Sequence, residues 1–130
     1  MLMKMMKNKV ITILFFFVFV TGCAIFNKMS GASIKTNTAL ETLETARFFL
    51  KADKFKKAIE YYDLILIKFP EERRENAWAL YEKAFCLYKL KRYEEARQSF
   101  LNVIRRFPEE TGPVIMAEKM LSQLNKFIRN

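Results

Sequence analysis

Residues 51–72 (KADKFKKAIEYYDLILIKFPEE) return 38 positions later as residues 89–110 (KLKRYEEARQSFLNVIRRFPEE). A chain that copies a segment without gaps is constrained to stack like units, because each unit hides its apolar face only against a neighbour. The copies share Lys51/Lys89, Ala58/Ala96 and the closing Phe-Pro-Glu-Glu. They exchange Phe55/Tyr93, Tyr62/Phe100, Ile65/Val103 and Leu66/Ile104 conservatively. What persists is packing chemistry rather than catalytic chemistry.

Apolar spacing defines the unit. Leu40, Leu43, Ala46, Phe49 and Leu50 recur at i, i+3, i+4 intervals and predict a helix over 38–51. Phe55, Ala58, Tyr62, Ile65, Leu66 and Phe69 predict a second over 55–68, stopped by Pro70, which lacks an N–H and disfavours the helical region at Phe69. Trp78, Tyr81, Ala84, Phe85, Leu87 and Tyr88 predict a third over 74–89. After a turn at 90–92 a fourth runs over 93–106 and stops before Pro108. A last helix from Pro113 to Phe127, through Val114, Ala117, Met120, Leu121 and Leu124, has no partner after it and is expected to cap the array. The expected fold is all-α: two helical hairpins and a capping helix.

The residues at the helix crossings carry a family resemblance. Ala84, Leu87, Tyr93, Ala96, Phe100 and Pro108, with Ala46, Phe49, Phe55, Ala58, Tyr62 and Pro70 before them, resemble the signature of the tetratricopeptide repeat. Small residues stand where the paired helices cross, aromatics fill the gap to the next unit, and proline ends the second helix. The resemblance covers residues 38–128. Ala46 and Ala84 replace the usual glycine, Thr45 and Lys83 the usual leucine, and four extra residues within EERRENA lengthen the period.

Residues 1–22 read separately, as an export signal: Lys4, Lys7 and Lys9 precede an apolar run from Val10 to Val20. The run closes in Val20-Thr21-Gly22-Cys23, which resembles the lipobox of bacterial lipoproteins; the resemblance implies that Cys23 is acylated and becomes the first residue. The alternative is an uncleaved anchor, since Val10 to Phe26 would span about 25 Å as a helix, short of the usual ~20 apolar residues. Residues 23–37, with Gly, Ser, Asn and Thr and no apolar period, read as a flexible tether.

Composition narrows the chemistry. There is no histidine, which removes the commonest general base and metal ligand, and no cofactor is expected. No paired carboxylates have a setting for acid–base work, so an enzyme is not expected. With Cys23 acylated, Cys86 has no partner, and within AFCLY it reads as a small buried hydrophobe. Without the three lysines of the signal, 20 basic residues face 14 acidic ones, a net charge of +6. That charge suits acidic proteins, anionic lipid headgroups or sugar-phosphate surfaces; nucleic acid is not expected, because no concentrated basic stripe exists.

The repeats and the lipobox together resemble tetratricopeptide lipoproteins of Gram-negative envelopes, which include the accessory lipoprotein of the outer-membrane β-barrel assembly machinery and the pilotins of secretins. The resemblance implies a periplasm-facing adaptor held by lipid on Cys23 in the outer membrane, with the inner membrane as alternative, that binds another envelope protein. A structural, self-associating lipoprotein or a pilotin is the second reading. In the family the first helix of each hairpin lines the groove. Leu40, Leu43, Arg47 and Leu50 in the first unit, and Trp78, Tyr81, Phe85 and Tyr88 in the second, are therefore the candidate partner-binding residues. Such aromatics bury much area at low entropy cost, and Arg47 could clamp a carboxylate. Alternatively the stripe is plain core; the exposure of Trp78 and Tyr81 separates the two.

Overall fold

The computed structural model describes residues 37–129. The signal segment 1–22, Cys23 and all of the tether 23–37 except Asn37 lie outside the described residues. Among the described residues there are five helices: α1 (Ala39–Lys51), α2 (Phe55–Lys68), α3 (Arg73–Lys89), α4 (Tyr93–Arg106) and α5 (Thr111–Arg129). α2 and α4 have the expected bounds, and the rest begin or end within two residues of them. α5 starts at Thr111 rather than Pro113 because the first helical N–H groups need no intrahelical acceptor, so a proline in that turn forfeits nothing. None of these helices is long and apolar enough to cross a membrane.

Local chemistry sets each boundary. At the start of α1, Thr38 Oγ1 accepts the Glu41 amide at 3.1 Å, and the Glu41 carboxylate accepts the Asn37 amide at 2.9 Å. This is a capping box shifted by one donor. The first helix of each hairpin closes in a Schellman motif. The Lys54 amide donates to Phe49 and the Asp53 amide to Leu50 (2.9 and 3.1 Å); Arg92 donates to Leu87 and Lys91 to Tyr88 (both 2.9 Å). Asp53 and Lys91 take the left-handed conformation, φ 55° and 62°, where glycine is usual.

The connections after Phe69 and Phe107 also coincide. Glu72 donates to Phe69 and Arg73 to Glu71; 38 residues on, Glu110 donates to Phe107 and Thr111 to Glu109. α5 therefore opens a third unit in phase with α3. Leu80, Ala84 and Leu87 of α3 are buried under α4, and their counterparts in α5 are Glu118, Ser122 and Asn125, all exposed. α5 is thus the first helix of a third unit with a polar surface where its partner would pack, as an end cap requires.

Each helix packs antiparallel on the next, and α1, α3 and α5 also touch in sequence. The small residues at the crossings, Ala46, Ala58, Ala84 and Ala96, are fully buried, with Tyr62 and Phe100 beside them. Two cores result. One lies between α1, α2 and the near side of α3; the other joins α3, α4 and α5. Each large side chain withdrawn from water into them contributes about 1.5–3 kcal/mol.

Candidate functional site

The eight candidate groove residues divide by depth. In α1, Leu43 is 3 % exposed and belongs to the first core, Leu50 and Arg47 are half-buried, and Leu40 is 57 % exposed. In α3, Tyr81 is 7 % exposed with its ring 5.7 Å from Phe100, so it points between α3 and α4. Trp78, Phe85 and Tyr88 are half-buried. Leu43 and Tyr81 are therefore core, and the remaining six form the surface that α1 and α3 share. Val114 and Leu121 continue it on α5, also half-buried.

Trp78 is the wedge of this surface. Its indole packs against both cores and meets Tyr81 edge-on at 6.0 Å. The Arg47 guanidinium lies 5.9 Å from the ring centre, and on the α5 side the ring fills the space that Gly112 leaves, where an added Cβ would stand 3.0 Å from Cζ2. Farther along α3 the rings of Phe85 and Tyr88 lie 6.4 Å apart, and Lys89 sits 5.4 Å over Phe85. The aromatic line then leaves the helix: Tyr88 contacts Tyr93 at 5.7 Å, and Tyr93 contacts Phe127 at 5.3 Å.

Arg47 differs from expectation. Its Nε donates to both Glu82 oxygens at 2.9 and 3.1 Å, Nη2 lies 2.8 Å from Glu82 Oε1, and Nη1 reaches Glu44 at 3.1 Å. Bonding to Glu82 raises its pKa further. With two carboxylates of its own, the guanidinium is a strut between α1 and α3 rather than a clamp awaiting an incoming carboxylate.

Glu82 is the polar residue that periodicity did not single out. Its side chain is 12 % exposed and also accepts the Tyr62 hydroxyl at 2.9 Å, so one carboxylate joins α1, α2 and α3. The sequence signal was present in the recurrence of Glu44 as Glu82 one period later. Lys83 pairs with Asp63 beside it, and Arg73 pairs with Glu109 and donates to the Arg106 carbonyl, stitching α3 to the next connection. Asn76 donates to the Phe69 and Pro70 carbonyls at 2.7 and 3.2 Å. The extra residues of the longer period thus fasten one unit to the next.

Cys86 is a buried free thiol, and burial pushes it up to about 12, so it stays protonated and packs as a hydrophobe. Among the described residues no group of three or more Cys, Asp or Glu side chains could hold a metal ion.

A tetratricopeptide repeat family model matches residues 49–111, from Phe49 in α1 to the first residue of α5. The match and the helical geometry make this a tetratricopeptide-type hairpin array, a fold that serves protein–protein interaction. No curated protein and no solved structure matches the chain.

Proposed function

We propose that the chain is a non-enzymatic adaptor that binds another envelope protein through the face shared by α1, α3 and α5, held at the outer membrane by lipid on Cys23. The observation that supports it most is the half-buried line Trp78, Phe85 and Tyr88, flanked by Leu40 and Leu121: rigid apolar groups with one side still open to solvent. Such a line suits an extended or helical peptide, which would bury the open sides of the rings. Anchoring would confine the array near the membrane, so that even a weak contact gains from raised effective concentration. Assembly of outer-membrane β-barrels is the favoured setting on resemblance, with secretin piloting as alternative.

The test has two arms. A photo-crosslinking residue in place of Phe85 is expected to capture one envelope protein from intact membranes, whereas the same residue in place of Ile67, on the outside of α2, captures none. Equal capture at both positions sinks the groove. Fatty-acid labelling of the wild type that vanishes in Cys23→Ser supports the anchor; unchanged labelling removes it.

A second reading, self-association, is favoured by Phe48, which is 64 % exposed on α1, while Cys86, its counterpart one period later, is fully buried against the first hairpin. If copies stack there, mass measured by light scattering rises with concentration and Phe48→Asp abolishes the rise.

A further inference from the structure

Because α1, α3 and α5 run parallel and the helices between them run back, both hairpin turns and the C-terminal end of α5 lie at one end of the array. Contacts confirm the arrangement: Phe127 meets Tyr93 at this end, and Gly112 meets Trp78 toward the other. Charge is divided unequally between the ends. The first turn and the helix ends beside it carry Lys51, Lys54, Lys56 and Lys57; the second carries Lys89, Lys91 and Arg92; α5 adds Lys126. Against these eight stand only Asp53, Glu94 and Glu95. At the opposite end five basic residues meet six acidic ones: Lys68, Arg73, Arg74, Arg105 and Arg106 against Glu41, Glu71, Glu72, Glu75, Glu109 and Glu110.

Internal pairing does not cancel the basic end. Glu95 is taken by Arg92 and Glu94 by Arg97, and among the described residues none of the seven lysines has a carboxylate within 4.0 Å. All seven are exposed. Apolar groups stand among them: Phe127 is 63 % exposed, and Phe55, Leu90 and Tyr93 are half-buried. Lysines around partly open aromatics match a surface of phosphate headgroups over hydrocarbon, where the stems and rings rest at the boundary and the ammonium groups meet phosphate.

We propose that this turn end is a docking surface for an anionic phospholipid membrane, distinct from the α1/α3/α5 face and independent of any lipid on Cys23. Docked in this way, the array stands with its helix axes steep to the membrane and keeps its aromatic line open to a partner.

Lysine footprinting tests it on the full chain incorporated into phosphatidylcholine vesicles with and without phosphatidylglycerol, reading acetylation of each lysine by mass spectrometry. Phosphatidylglycerol is expected to slow acetylation of Lys54, Lys57, Lys91 and Lys126 by about fivefold, the order of magnitude for one lysine at an anionic surface, and to leave Lys68 and Lys119 unchanged. The protection should fade at about 0.5 M salt, where screening is nearly complete beyond a few ångströms. The K54E/K57E/K91E variant should lose it at Lys51, Lys89 and Lys126 as well, and K54Q/K57Q/K91Q repeats the test with a smaller change should the first variant fail to fold. Equal rates in both vesicles, or equal slowing of Lys68 and Lys119, overturns the proposal. Protection by polyglutamate without protection by vesicles assigns the surface to an acidic polypeptide and overturns it too. So does protection that appears without vesicles as concentration rises, which means a second copy.

Discussion

The two hairpins share crossing residues, turn geometry and closing Phe-Pro-Glu-Glu, but they do not share surroundings. Among the described residues the second is packed on both sides, by the first hairpin and by α5, and the first on one. Equivalent positions therefore differ: Cys86 is fully buried and Phe48 is 64 % exposed, Phe107 is 3 % exposed and Phe69 half-buried, Glu82 ties its own helix to α1 and α2 and Glu44 meets only Arg47 on its own helix. In a repeat array the neighbour decides what a residue does, and the repeated sequence only offers it.

Paired substitutions one period apart sharpen this contrast. The largest effect is expected from Phe100→Ala, which empties a fully buried site in the second core and should lower unfolding free energy by about 3–5 kcal/mol in urea titrations. Phe48→Ala in a monomeric sample should stay within about 0.5 kcal/mol. Comparable losses would mean that something covers α1. Next, Glu82→Ala leaves the Tyr62 hydroxyl without its acceptor and the Arg47 guanidinium with Glu44 alone, and should cost about 2–3 kcal/mol. Glu44→Ala, at a side chain 62 % exposed, should change stability by no more than about 0.5 kcal/mol. If the two are equal, Glu82 is not the joint between hairpins.

The same joint predicts alkaline sensitivity. Burial first, then the Glu82 charge, raises the Tyr62 hydroxyl far above its ordinary value and the Cys86 thiol to about 12. Both groups are neutral in the fold and ionise more readily in the unfolded chain. Stability from them is full below the unfolded values, about 8.5 for cysteine and 10 for tyrosine, and declines as pH rises past them toward the folded ones. Each group adds at most about 1.4 kcal/mol of loss per pH unit. Urea midpoints taken from pH 8 upward should fall from near pH 9, and Cys86→Ala should delay the fall; an unchanged profile would show that the thiol is not sealed between the hairpins.

The fold was legible because packing left a periodic trace. Ala46, Phe49, Ala58 and Tyr62 recur in phase, and proline marks each unit's end, so the helix bounds followed from spacing. Depth within the groove was not legible. Trp78, Tyr81, Phe85 and Tyr88 share one helical stripe, yet Tyr81 turns toward Phe100, because a few tens of degrees around α3 decide between α4 and solvent. From its own helix Arg47 looks like a free clamp, since its partner Glu82 lies 35 residues away and no local pattern announces a pair between helices. The basic turn end was scattered for the same reason: its lysines come from three separate stretches that only the hairpin topology gathers.

The smallest predicted effects concern a feature that the hairpins hold in common. Asp53 and Lys91 both adopt the left-handed conformation that closes the Schellman motif, at a cost that glycine does not incur. Glycine loses more backbone freedom on folding, so the net gain is only part of the roughly 1–2 kcal/mol steric penalty. Asp53→Gly and Lys91→Gly should each raise the urea midpoint by an amount worth about 0.5–1 kcal/mol, equal within error because the same three amide hydrogen bonds surround both residues. A clear inequality would locate a difference in the unfolded chain, since the folded turns coincide bond for bond. A loss at either site would show that the aspartate or lysine side chain supports its turn by a contact outweighing the strain.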